Sequence, residues 1–229
     1  MKKLNLQDYF EKKKQDELAK FCYRKLCTTC MHPEFSCYCA LVESFDPLVK
    51  FIILIHPIEF QRRIATGRMS HLLLKNSVLI RGQDYSEDKI VNQLLEYPEY
   101  EPFILYPSLS STNLSELNFG QQKKIFNSKK IPLVFVIDGT WATARQMMRQ
   151  SKNLQNIPRL CFTPQKPSNF RVRKQPEPHC LSTIEAIHQF MEIAGESFGF
   201  PKNERSHDRL LKVFDSMVDR QVNFVKKYA

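Results

Sequence analysis

Leu133-Val134-Phe135-Val136-Ile137-Asp138-Gly139-Thr140-Trp141 is the stretch from which the fold is read. Five uninterrupted apolar residues are a strand's length, and a run apolar on both alternating sets of positions predicts a strand buried on both faces. Asp138 and Gly139 then break the run, and Thr140 can cap a helix over Trp141 to Gln150. Working outward, Val49 to Ile55 repeats the apolar signal, and Ser77 to Ile80 and Pro102 to Tyr106 give two further strands. Between them, Gly67 to Asn76, Ser86 to Glu96 and Gln121 to Lys129 read as helices. Ser182-x-x-Glu185 forms a capping box for a helix through Ala194. Leu210, Leu211, Phe214, Met217, Val218 and Val225 mark an amphipathic C-terminal helix. Asn156 to Cys180, with five prolines, reads as one long loop. Apolar strands alternating with helices predict an α/β domain with a mostly parallel sheet flanked by helices. A polar helix over residues 4–26 and a cysteine-rich knuckle precede it, so the expected organisation is an N-terminal metal-binding segment, 1–45, and a main domain, 46–229.

Composition narrows the function. The 229 residues are 42% hydrophobic and include 17 Phe, which excludes a wholly disordered chain. No apolar run reaches the length of a membrane helix. The six glycines form neither GxGxxG nor a P-loop, so the common dinucleotide and nucleoside-triphosphate fingerprints are absent. Lys2 and Lys3 are followed by no apolar signal core, and the expected location is the cytoplasm.

The net charge of +10 is unevenly placed. Gly139 to Pro176 holds no acid but carries Arg145, Arg149, Lys152, Arg159, Lys166, Arg171, Arg173 and Lys174. Phe60 to Gln83, also free of acids, carries Arg62, Arg63, Arg68, Lys75 and Arg81. Cations concentrated in this way suit a polyanion such as RNA, because neutralising phosphates releases condensed counterions.

Cys27-x2-Cys30-x6-Cys37-x-Cys39 places four thiols within 13 residues. Four thiolates make a closed tetrahedral zinc site, structural because no coordination position is left open. Cys22 is an alternative ligand, His32 a bystander inside the loop, and unmetallated buried thiols the rival reading. Cys161 and Cys180 read as buried thiols. Asp138 ends a strand of an open α/β sheet, where ligands bind. On spacing alone it serves equally as a base, as a hydrogen-bond anchor or as a residue that merely turns the chain.

Asp138-Gly139-Thr140-Trp141 resembles the Asp-x-Thr-Trp signature of the DTW-domain proteins. His56-x-x-Glu59-x-x-Arg62-x-x-x-Thr66-Gly67-Arg68 resembles the family's first motif. Arg171-x-Arg173-x-x-Pro176 with Leu181-Ser182-Thr183-x-Glu185-Ala186 resembles its last, and the four cysteines resemble the zinc knuckle of bacterial members. Ala65 stands where the family often has Asn.

The resemblance implies a fold related to the SPOUT methyltransferases, with a knotted cofactor site. It implies transfer of the 3-amino-3-carboxypropyl group of S-adenosylmethionine to N3 of a tRNA uridine, with a lean to the variable loop. On that reading Asp138 is the general base. Thr140, Trp141 and Leu181 line the adenosine pocket, and the helix start at Ser182 and Thr183 meets the donor's carboxylate. Arg171, Arg173 and Lys174, then Arg62 and Arg68, contact RNA. Glu185 is a capping residue, and His56-x-x-Glu59 a polar pair with a structural or RNA-orienting role. The partner expected is tRNA, with no membrane and no protein partner implied. RNA methylation from the same donor, and a non-enzymatic zinc and RNA-binding role, are the alternatives.

Overall fold

The computed structural model describes residue 11 and residues 25–62, 64–126, 129–173 and 180–228. In chain order the strands are β1 (Lys50–Ile55), β2 (Val78–Arg81), β3 (Tyr100–Leu105), β4 (Thr112–Asn113), β5 (Ile131–Asp138) and β6 (Arg159–Cys161). The helices are α1 (Pro57–Gln61), α2 (Thr66–Leu73), α3 (Lys89–Glu96), α4 (Phe119–Ile125), α5 (Trp141–Gln150), α6 (Thr183–Ala194) and α7 (Asp208–Tyr228). The strands form one sheet in the order β2-β1-β5-β3-β6-β4, and every pair is parallel. The expected class is therefore found: α/β, a parallel sheet with helices on both faces.

The apolar runs follow from this burial. Along β1, Phe51 and Ile53 enter one core while Ile52 and Leu54 enter the other. Along β5, Val134 and Val136 share the first core, and Leu133 and Phe135 the second. Side chains of a strand alternate between faces, so a strand covered on both sides must be apolar at every position. The first core is the larger and takes Met69 and Leu73 of α2, Ile187, Phe190 and Met191 of α6, and Leu210, Phe214 and Met217 of α7. The second takes Val91 of α3 and Met147 and Met148 of α5.

Helix starts are locally encoded. Asp88 opens α3 by accepting from the Val91 amide at 2.9 Å. Asn118 and Gln121 make a reciprocal capping box for α4, and Ser182 and Glu185 make one for α6. The proline-rich span from Asn156 to Cys180 departs from the single loop expected of it. It contains β6, which pairs with β3 at Leu105↔Leu160 and with β4 at Asn113↔Cys161. Three-residue and two-residue strands leave too short a pattern to read, and their pairing comes from the rest of the sheet. The helix expected over residues 4–26 lies almost wholly outside the described residues.

The cysteine knuckle packs on the larger core, where Cys30 and Tyr38 are buried. Arg68 fastens it. This side chain is 6% exposed, donates to the Cys30 carbonyl at 3.3 Å and to the Phe60 carbonyl, and lies over the Phe60 ring.

Phe190 lies at the centre of that core, fully buried against Phe51, Phe126 and Phe198. Phe190→Ala is expected to cost about 3–5 kcal/mol of folding stability, read by urea denaturation. A loss below about 1 kcal/mol would mean that the ring does not hold the helical layer to the sheet.

Candidate active site

Asp138 is the last residue of β5 and pairs in register with Ile55 at the end of β1. Its carboxylate reaches across the carboxyl end of the sheet and joins two helices. Oδ2 accepts from the backbone amide of Gly67, in the first turn of α2, at 3.1 Å. Oδ1 accepts from the Thr183 hydroxyl, at the start of α6, at 2.6 Å. A carboxylate offers about four lone-pair sites, so two remain for a ligand. Asp138 is 5% exposed. Burial, opposed by the bond from Thr183, pushes its carboxyl up to about 6. The Glu59 charge pushes the same way, while the Gly67 amide and Arg173 pull down.

The contact with α2 requires a glycine. A Cβ on Gly67 would lie 2.3 Å from Asp138 Oδ2 and 3.0 Å from the Ile53 side chain. The glycine here serves close approach rather than a turn.

Asp138 borders a cavity of about 420 Å³, in the size range of small-molecule sites. Its walls come from the ends of β3 and β5, the starts of α5 and α6, Arg62 after α1, and Phe170 and Arg173 from the loop after β6. Thr140, Trp141, Leu181, Ser182 and Thr183 all line it, so the structure gathers the motif residues around one space. Thr140 caps α5 by accepting from the Thr143 amide at 3.2 Å. Trp141 is 40% exposed at the rim, and its indole donates to the Cys180 sulfur at 3.1 Å. Cys180 and Cys161 are half-buried, not buried as expected. A smaller apolar recess of about 120 Å³ adjoins the cavity, walled by Pro107, Trp141, Leu160, Phe162 and Leu181.

Ser182 and Thr183 present fewer free groups than their place at a helix start implies. The Ser182 amide and hydroxyl both donate to Glu185, at 2.8 and 2.5 Å, and the Thr183 hydroxyl is spent on Asp138. Glu185 also accepts from the Ser168 hydroxyl and the Asn169 amide, both at 2.7 Å, which ties the loop after β6 to α6.

The arginines of the motifs separate. Arg62 and Arg173 line the cavity and converge on the buried Glu59, whose carboxylate pairs with Arg62 Nε at 3.3 Å and accepts from two nitrogens of Arg173 at 3.2 and 3.4 Å. Arg171 is exposed and paired with Asp219. Arg68 faces inward on the knuckle and exposes little of its side chain. Lys174 lies outside the described residues. Glu59 and His56 are not partners: His56 caps α1 through Nδ1, which accepts from the Ile58 amide at 3.3 Å, and its Nε2 lies 2.8 Å from the Gln83 amide.

Leu105, Tyr106 and Pro107 were not foreseen in the site. Their signal was available, since they end a strand next to the one that ends in Asp138. The Glu59 clamp was hidden, because its arginines carry no sequence mark that distinguishes them from phosphate contacts.

In the knuckle, Cys27, Cys30, Cys37 and Cys39 bring their sulfurs within 4.8 Å of one another, with Cys27–Cys39 at 3.6 Å and Cys30–Cys37 at 3.7 Å. Four thiolates about 2.3 Å from a tetrahedral zinc would lie about 3.8 Å apart, so the donor set fits that ion. Backbone amides of Cys30 and Thr29 hold the Cys27 thiol down at about 6, while burial and neighbouring sulfurs push Cys30 and Cys39 up. Such crowding favours a cation that neutralises the thiolates. Cys22 lies outside the described residues, and buried His32, which packs edge-on to Tyr38, is not a member of the convergent group. His188, Glu192 and His207 form a second convergent group, but Arg205 already provides its cation, bonded to both Glu192 and Asp208.

A parallel α/β sheet with an acid at a central strand end, held between two helix starts beside a cysteine knuckle, is the class of protein defined by fold and site. The chain belongs to the DTW domain family, whose model matches residues 24–222. It is 27% identical over 177 residues to a Drosophila melanogaster protein named tRNA-uridine aminocarboxypropyltransferase 2, covering 74% of this chain and 66% of that protein. It is 26% identical over 211 residues to the Mus musculus protein of the same name, covering 87% of this chain and 64% of that one. The chain thus spans slightly under two thirds of the length of these curated relatives. No solved structure gives a match.

Gly67→Ala is expected to cost about 1–3 kcal/mol through overlap with Asp138. The same substitution in an Asp138→Ala background should cost much less, giving a coupling energy measurable by a denaturation double-mutant cycle. Equal costs in both backgrounds would show that the Gly67–Asp138 contact is not the constraint.

Proposed function

We propose that this chain is a tRNA-uridine aminocarboxypropyltransferase that modifies N3 of a uridine, with S-adenosylmethionine as donor. The observation that carries the reading is the Asp138 carboxylate, buried beside a ligand-sized cavity in a member of this family. The names of the two relatives support it.

Asp138 takes the N3 proton of the uridine, for which its unused lone pairs and a carboxyl near 6 are suited. The donor supplies an activated sulfonium: the N3–carbon bond forms as the carbon–sulfur bond breaks, the electron pair stays on sulfur, and methylthioadenosine leaves neutral. The Gly67 amide and the Thr183 hydroxyl hold the carboxylate in place. The recess between Pro107, Trp141 and Leu181 takes the adenine, with Thr140 at its edge. The exposed Arg145 and Arg171, chain neighbours of the cavity-lining Ala144 and Phe170, meet the tRNA backbone, and Lys174 of the same acid-free segment is assigned to it from the sequence. Arg68 is assigned instead to holding the knuckle. Residues 46–229 form the catalytic part, and the SPOUT relationship, a variable-loop uridine and a cytoplasmic location belong to the same reading. The four cysteines hold a structural zinc.

The test is label transfer. Unmodified tRNA is incubated with donor labelled in the methyl group or in the carboxyl carbon. Carboxyl label alone in the RNA is expected; methyl label alone would make the chain a methyltransferase, and neither label would sink the proposal.

Asp138→Asn should lower kcat/KM by about 10²–10⁴-fold while leaving tRNA affinity unchanged. In the unsubstituted protein kcat/KM should rise with pH through about 6, as the proton leaves Asp138, and then level off. A flat profile from pH 5 to 7 would remove Asp138 from the role of base.

The purified chain is expected to carry about one zinc, which Cys30→Ser lowers and a strong chelator removes with loss of thermal stability. Metal-free protein with an unchanged melt would leave the knuckle as a cluster of thiols.

A further inference from the structure

We infer that Arg62 and Arg173, oriented by the buried carboxylate of Glu59, bind the α-carboxylate of the donor's amino-acid end and so select the carbon presented to the nucleophile. This rests on the proposed use of S-adenosylmethionine. It departs from the expectation that the start of α6 receives that carboxylate.

Among the described cavity-lining residues the charged groups are Arg62, Arg173 and Asp138. Glu59 stands behind the two arginines, 3% exposed, and does not border the cavity. Two guanidiniums share one carboxylate there, so that cluster by itself carries one positive charge, with Asp138 the other acid at the wall. Arg173 spends one bond from each of two nitrogens on Glu59, and Arg62 meets it through Nε. A guanidinium has five N–H donors, so each retains donors for a second carboxylate. Among the described residues the terminal nitrogens of Arg62 have no other partner.

The competing place has fewer groups to offer. At the start of α6, Ser182 gives its amide and hydroxyl to Glu185, and Thr183 gives its hydroxyl to Asp138. The arginine wall is also adjacent to the reacting group, since Glu59 and Arg173 both act electrostatically on Asp138. Among the described residues, the apolar recess by Trp141 and Leu181 has no charged group in its lining. The two ends of the donor therefore meet walls of opposite character: aromatic and aliphatic for the adenosine, cationic for the amino-acid end. A donor fixed at both ends has its chain carbon, not its methyl, directed at the uridine held by Asp138. Orientation of this kind separates two transfers that share one sulfonium.

The test is calorimetric binding to the full chain without RNA, using three probes: S-adenosylmethionine, its decarboxylated analogue and methylthioadenosine. The unsubstituted protein should bind S-adenosylmethionine about 10- to 100-fold tighter than the decarboxylated analogue. Arg173→Ala and Arg62→Ala should each reduce that ratio toward one without changing affinity for methylthioadenosine, which also reports that the variant is folded. Glu59→Gln should reduce the ratio in part. Binding of all three probes with equal affinity for the first two would overturn the carboxylate clamp and leave the donor reading standing. An unchanged ratio in the arginine variants with weakened tRNA binding would overturn it in favour of phosphate contacts. Failure of the unsubstituted protein to bind any of the three would overturn the donor reading itself.

Discussion

The Asp138 carboxylate is the point on which the site depends. It ends the β5 strand, and its two oxygens receive one donor from α2 and one from α6. A buried carboxylate is costly unless it is bonded, so both helices must present their first turns to it. Gly67 is the consequence on one side, since any side chain would overlap the carboxylate. Thr183 is the consequence on the other. The same burial that makes these bonds necessary raises the carboxyl toward neutrality, where proton transfer is most effective. Structural constraint and chemical fitness thus have one cause.

Around that point a second buried acid repeats the logic with a different outcome. Glu59 is as enclosed as Asp138, yet two guanidiniums neutralise it. A third acid, Glu185, collects four donors and pins the loop after β6 against α6. That loop carries Phe170 and Arg173 to the cavity. Three carboxylates divide the work: one faces the cavity, one holds the two arginines and one fixes the wall that brings Arg173.

The charge pattern has to be read with burial in hand. The acid-free segments contain cations of at least two kinds. Arg145, Arg149, Lys152, Lys166 and Arg171 lie at the surface, where a polyanion can reach them. Arg68 is spent on backbone carbonyls beneath the knuckle, while Arg62 and Arg173 face a small cavity. Absence of acids marks a region where anions are welcome, but not whether the anion is a nucleic-acid backbone, a small ligand or a carbonyl dipole.

The amino-acid sequence by itself determined the apolar strands β1 and β5, helices α5 and α6 with their caps, the four-cysteine donor set and the motif ending in Asp138. All of these are patterns within a few residues of one another, where periodicity and capping chemistry act directly. Short β4 and β6 were illegible because their pairing is supplied by the sheet. Only the tertiary structure decided which acid meets which donor. Asp138 meets Thr183 across 45 residues and Gly67 across 71, and Glu59 meets Arg173 across 114. Burial and proximity over such separations belong to the packed sheet and its helices, so the inward turn of Arg68 and the Glu59 clamp could emerge only once the chain was folded.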